Sequence, residues 1–200
     1  MASVAREFTV DYHGFTYRGQ TNNTIDWCVY FLKNFSTAEA SLVQRVGGFV
    51  RRRGQRYVCM DVGANVGHRT LTMACFADEV VAIEPMPGAF ERLSEKVALN
   101  ALNHVKPFRL ALSDQTEDVD FEVLSPSNFL AVRRSDVLTC GVFGTQTLSA
   151  VRGDDFIRDQ HTQPPHFIRF AVGGETTRAL EGLSETLRSA RPVVFIECPP

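Results

Sequence analysis

From Glu7 to Arg18 apolar or aromatic residues alternate with polar ones around His13-Gly14, which predicts a short hairpin at the start of the chain. Between Ser36 and Val50 the period changes: Ala38, Leu42, Val43, Val46 and Phe49 recur at helical spacing, with Ser36 and Glu39 forming a capping-box pattern. A solid apolar run, 57–63, leads through a glycine loop into the helical pattern of 64–76. The cycle repeats with a strand over 79–85, a helix over about 87–101 and a strand over 105–113. Residues 119–124 and 129–133 read as a short antiparallel excursion. The stretch 136–165 reads as loop-rich, with a turn at Arg152-Gly153-Asp154. Two more buried-looking strands, 166–172 and 192–197, flank a helical pattern over 176–190.

Strands alternating with helices predict a doubly wound, Rossmann-like α/β fold with a mostly parallel sheet and right-handed crossovers. The 200 residues suit one domain: an N-terminal hairpin and helix over 1–56 and a core over 57–200. With 21 Lys+Arg against 23 Asp+Glu the charge is near balance, so no nucleic-acid partner is indicated. Arg51, Arg52 and Arg53 follow an amphipathic stretch, where they suit a helix end. No run is long and apolar enough to span a membrane, and MASVAREFTV lacks the apolar stretch of a secretion signal; a cytoplasmic protein is predicted. The five cysteines are scattered and never form a CxxC pair, which favours small buried thiols over disulfides or a zinc site.

The strongest chemical signal is Asp61-Val62-Gly63-Ala64-Asn65-Val66-Gly67, placed where a buried strand turns into a helix. Small residues there let a ligand approach the backbone, and free amides at a helix start favour a negative group. Glu84 ends the next strand, where a carboxylate can accept two hydrogen bonds from the vicinal hydroxyls of a ribose. Each of these residues alone has an ordinary structural explanation; their order along the chain is what points to a nucleoside cofactor. The departure from G-x-G-x-x-G disfavours a nicotinamide oxidoreductase and leaves an adenosyl cofactor as the better fit.

From about Phe15 to Glu197 the chain resembles the FkbM family of S-adenosylmethionine-dependent methyltransferases. The matching residues are Asp61 to Gly67, Glu84-Pro85, Asn100, Ala111-Leu112-Ser113-Asp114, Asp154-Asp155-Phe156 and Ile196-Glu197. The resemblance implies a class I methyltransferase fold with S-adenosyl-L-methionine as cofactor. Asp61, Gly63, Ala64, Asn65 and Gly67 would surround its methionine part, Glu84-Pro85 its ribose, and Ser113-Asp114 its adenine. It also implies O-methylation of a hydroxyl on a sugar, glycan or secondary metabolite. The family sheet usually continues into an antiparallel hairpin, which this chain is expected to lack.

One segment departs from the family. Where Lys-Ile-Asp-Val-Glu-Gly-Ala-Glu is usual, the chain has Arg169-Phe170-Ala171-Val172-Gly173-Gly174-Glu175-Thr176, so acids are absent at 171, 173 and 176. A strand end there borders the crevice, where acids could orient or deprotonate an acceptor or hold a metal. Glu175 is the nearest replacement, one position out of register. His68, His166, Asp154, Asp155 and Glu197 remain candidate bases, with Asp154 and Asp155 equally suited to capping the helix after them. No catalytic residue, metal ligand or oligomeric state is assigned, and a cofactor-binding protein without turnover stands as the alternative. Residues that select the acceptor are expected between about Ser125 and Pro165.

Overall fold

The structure, a computed structural model, describes residues 5–32, 37–133 and 142–197. Its centre is a five-stranded, wholly parallel sheet made of β3 (Val58–Val62), β4 (Glu79–Ile83), β5 (Val105–Phe108), β10 (Phe167–Phe170) and β11 (Val193–Ile196), in the order β11-β10-β3-β4-β5. β3 lies in the middle because its five residues are buried throughout, which a strand covered on both faces requires. Alternate residues serve opposite faces. Cys59, Val80 and Phe167 pack with α2 (Thr37–Arg51), α3 (His68–Ala74) and the N-terminal hairpin of β1 (Glu7–Tyr12) and β2 (Phe15–Gln20). Met60, Val62, Ile83 and Phe170 pack with α5 (Gly153–Asp159), α6 (Thr176–Gly182) and α7 (Ser184–Ala190).

The N-terminal elements are stitched to this core by buried charge. α1 (Thr24–Leu32) is capped by Asn23, whose side-chain oxygen accepts from the Asp26 amide at 3.0 Å. Asp26, fully buried, accepts from the Tyr17 hydroxyl and the Gln20 amide and pairs with Arg92 on α4 (Pro87–Leu99). Arg51 closes α2 as its charge predicts, reaching the Phe76 carbonyl and Asp78. Ser36 of the expected capping box lies outside the described residues, and Glu39 turns its carboxylate to Arg69 and Arg169.

Several expectations are corrected. The strand expected over 105–113 is two strands: β5 stays in the parallel sheet, and β6 (Ala111–Ser113) leaves it to pair with β9 (Gly144–Arg152). The antiparallel excursion is larger than expected. β7 (Glu117–Ser125) pairs with β8 (Leu130–Arg133) and, along most of its length, with β9, giving a second sheet ordered β6-β9-β7-β8. β9 occupies nine residues of the stretch read as loop, because its exposed face is threonine, serine and glutamine and carries little apolar signal. The supposed turn at 152–154 is the junction of β9 with α5. Of the described cysteines only Cys59 is buried; Cys28 is half-buried and Cys75 exposed. No helix among the described residues is long and apolar enough to cross a membrane.

Candidate functional site

A cavity of about 350 Å³ opens at the C-terminal ends of β3, β4 and β10, within the range of small-ligand pockets. It lies where chain order reverses around β3, the place at which open α/β sheets bind ligands. Gly63, Asn65, Glu84 and Pro85 line one side and Ala171 to Glu175 another. The second sheet roofs it with Asn128, Phe129, Ala131 and Arg133.

The loop after β3 is shaped by conformations few residues adopt. Gly63 has φ +84°, and a Cβ there would lie 2.4 Å from the Ala171 carbonyl oxygen. Asn65 sits at φ 50°, which its side chain tolerates by accepting from the Val66 amide at 2.8 Å. Gly67, at φ +88°, lets the start of α3 press on Leu93. The backbone amides from Gly63 to Gly67 are all paired within the fold. The amides of Gly63 and Ala64 donate to the Ile83 carbonyl, that of Asn65 to Glu84, that of Val66 to Asn65, and that of Gly67 to the Ala64 carbonyl. The loop therefore gives the cavity its shape rather than its donors.

Glu84 is the polar centre of the site. Its side chain is buried, with Oε2 accepting from the Asn65 amide at 2.8 Å and Oε1 from the Met86 amide at 2.9 Å. Burial pushes its carboxyl up to about 7, against the lowering effect of those two amides and helped by the nearby Asp61 charge. Each oxygen keeps acceptor capacity beyond these bonds. A carboxylate so placed, lining a partly apolar cavity, can accept further hydrogen bonds from ligand hydroxyls.

The other expected site residues sit one layer back from the wall. Asp61 is fully buried, accepting from Arg169 at 2.9 Å and from the Thr70 hydroxyl at 2.7 Å. Ala64 and Gly67 pack with Leu93 of α4, and Ser113 is buried with its hydroxyl on Asp114 at 2.9 Å. Leu112, their neighbour, reaches the cavity.

The candidate bases do not converge. His68 is buried, and burial with nearby Arg169, Arg69 and Lys96 holds its imidazole well below its usual range. His166 stands at the opposite end of the sheet, before β10, where its Nδ1 accepts from the Val58 amide. Asp154 caps α7 rather than its own helix, accepting from the Glu185 and Thr186 amides at 2.9 Å each. Asp155 pairs with Arg152 and Arg158, and Glu197 with Arg169. Glu175 does border the cavity, with its carboxylate held by Arg133 and by Arg178 at 2.9 Å.

Arg133, Asn128 and Phe129 were not picked out in the sequence, although they fall in the stretch expected to carry selectivity. Their signal is faint: a polar turn, Ser125 to Phe129, between two alternating runs. Asn23 donates to the Ser127 carbonyl at 2.7 Å, and the Asn65 side chain donates to that of Asn128 at 3.3 Å, so the turn is fixed to both α1 and the glycine loop.

The sequence model of the methyltransferase FkbM domain matches residues 61–199, which include the end of β3, the loop, Glu84 and the cavity wall after β10. The chain belongs to the FkbM methyltransferase family. A curated relative, hexuronic acid methyltransferase AglP of Haloferax volcanii, is 31% identical over 140 residues, covering 68% of this chain and 54% of that protein. The chain thus spans about half the length of this relative. Among solved structures, a SAM-dependent methyltransferase from Agrobacterium tumefaciens superposes with a TM-score of 0.54 at 9% identity, over 99% of this chain and 54% of that one. An FkbM methyltransferase from Methylobacillus flagellatus aligns with a TM-score of 0.49 at 17% identity, over 84% and 42%. The FkbM chain has the class I methyltransferase fold.

Proposed function

We propose that this FkbM domain binds S-adenosyl-L-methionine in the cavity beside Glu84 and methylates a hydroxyl of a sugar or glycan. The observation that carries the reading is the buried Glu84 carboxylate at the end of β4, facing a cavity closed on the other side by the turn after β10. The cofactor supplies an electrophilic methyl on a sulfonium, open to in-line attack. In this reading Glu84 accepts the ribose hydroxyls, Pro85 lies beside them, and the Gly63–Gly67 loop fits against the methionine part with Asp61 holding that loop from beneath. Ser113 and Asp114 lie toward the adenine. The name of the Haloferax relative supports a uronic-acid-bearing acceptor. Free thiols at Cys28, Cys59 and Cys75 support a reducing, cytoplasmic setting.

With no free acid at 171, 173 or 176, this chain's contribution to rate is placement: the wall from Ala171 to Glu175 aligns the acceptor, and alignment alone can remove much of the barrier. The same observation favours a second reading, a domain that binds the cofactor without turnover. Calorimetric titration with S-adenosylmethionine tests the common part. Saturable binding that Glu84→Ala weakens supports it; a folded chain that ignores the ligand, or binds NAD equally well, refutes it. Transfer of labelled methyl to a uronic-acid glycoside then separates the two. Turnover by the natural chain supports the enzyme, and turnover only after Ala171→Asp with Gly173→Glu supports the binding domain.

A further inference from the structure

Arg133, the last residue of β8, lines the cavity with a side chain 12% exposed. Its edges are committed. Nε donates to both Glu175 oxygens at 3.1 Å, Nη2 to Glu175 Oε2 at 2.9 Å and to the Ser113 hydroxyl at 3.4 Å, and Nη1 to Glu117 at 3.0 Å. Glu175 is itself fixed by Arg178 at 2.9 Å, so the clamp is anchored on both sides. The hydrogens of a guanidinium all lie in its plane. With Nε, Nη1 and Nη2 held at the edges by two carboxylates and a hydroxyl, little remains for an incoming anion, which would have to displace the two-oxygen grip of Glu175. What the group still offers a ligand is a flat, charged face, and such faces stack on aromatic rings.

We infer that Arg133 is a stacking platform for a planar heterocycle, the adenine of the cofactor, with Glu175 and Glu117 as the residues that set its plane. The inference rests on the cofactor reading above. The location agrees: Arg133 touches Ser113, whose hydroxyl meets Asp114, while Leu112 and Phe121 add apolar wall beside them. This also gives Glu175 a role other than that of a displaced base.

The test is titration of the whole chain with S-adenosylhomocysteine and with 5′-methylthioadenosine, which share the adenine but not the amino-acid part. Arg133→Lys keeps the charge and loses the plane, and it should weaken both ligands by the same factor, about 3- to 30-fold. In the natural chain, saturation with either ligand should move the Arg133 Nε–H resonance upfield through the ring current, a change that a purely structural salt bridge would not produce. Binding that leaves this resonance in place overturns the inference while sparing the cofactor reading, as does a Lys variant that binds both ligands undiminished. If neither ligand binds the natural chain, both fall. Should Arg133→Lys fail to fold, the resonance in the natural chain decides.

Discussion

In the proposed cofactor reading, Glu84 ties binding to pH in a direction that burial dictates. A carboxyl that ordinarily titrates near 4.5 is lifted to about 7 in the folded chain, first by desolvation, then by the charge of Asp61. The gap is worth about 3 kcal/mol. Because the folded chain holds this proton more tightly than the unfolded chain, the stability it contributes is fully present below pH 4.5. It is lost as pH rises to about 7. Ribose hydroxyls donate, so binding needs the ionised form and opposes that trend. Affinity should be level above pH 7 and fall about tenfold per unit below it. The assay is calorimetry with 5′-methylthioadenosine, which has no group titrating between pH 5.5 and 8.5. Urea melts over the same range supply the stability half, and Glu84→Gln should flatten both profiles. A natural-chain affinity independent of pH, or a fall at low pH that Glu84→Gln shares, would refute the reasoning.

Four other substitutions separate scaffold from site. Gly63→Ala places a methyl 2.4 Å from the Ala171 carbonyl at positive φ; it should cost about 3 kcal/mol, lowering Tm by roughly 6 to 12 °C in a thermal melt. Asp154→Ala uncaps α7 and should cost about 1–2 kcal/mol in urea while leaving cofactor affinity unchanged by calorimetry. Arg169→Met leaves Asp61 a buried charge without its cation, while Glu39 keeps Arg69, and should cost about 3–5 kcal/mol in the same denaturation experiment. His166→Gln should leave methyl transfer intact, since the ring faces the wrong end of the sheet; loss of kcat in a folded variant would restore it as a base.

The parallel core was legible because its strands are solid apolar runs and its helices keep a 3.6 period. Met60, Val62, Ile83 and Phe170 could be placed without coordinates. The loop from Asp61 to Gly67 and Glu84 were legible for another reason, the joint demand for small residues, positive φ and one acid. What stayed hidden carried no such period. β9 exposes Thr145, Gln146 and Thr147, so alternation is visible only at Leu148 and Ala150. α1 buries Asp26 and exposes Trp27, Phe31 and Leu32, the reverse of the usual rule, because its inward face is chosen by a hydrogen-bond network. Arg133 gave no sign, since a guanidinium clamp depends on Glu117, at the start of β7, and Glu175, in the turn after β10, acids that only the folded chain brings together.

The pairing of Arg169 with Asp61 has a further consequence, for the order in which the fold assembles. The two are direct neighbours across the β10 and β3 ladder, although 108 residues separate them along the chain. A slip of β10 by one residue would turn Arg169 to the opposite face, set its charge against the apolar layer and leave Asp61 without it. The ion pair thus acts as a register pin at the middle of the sheet, and the pin cannot engage until β10 finds β3. Contacts this remote in sequence make folding slow. The natural chain should fold in a late, concerted step that docks β10, and not by stepwise growth from β3 outward.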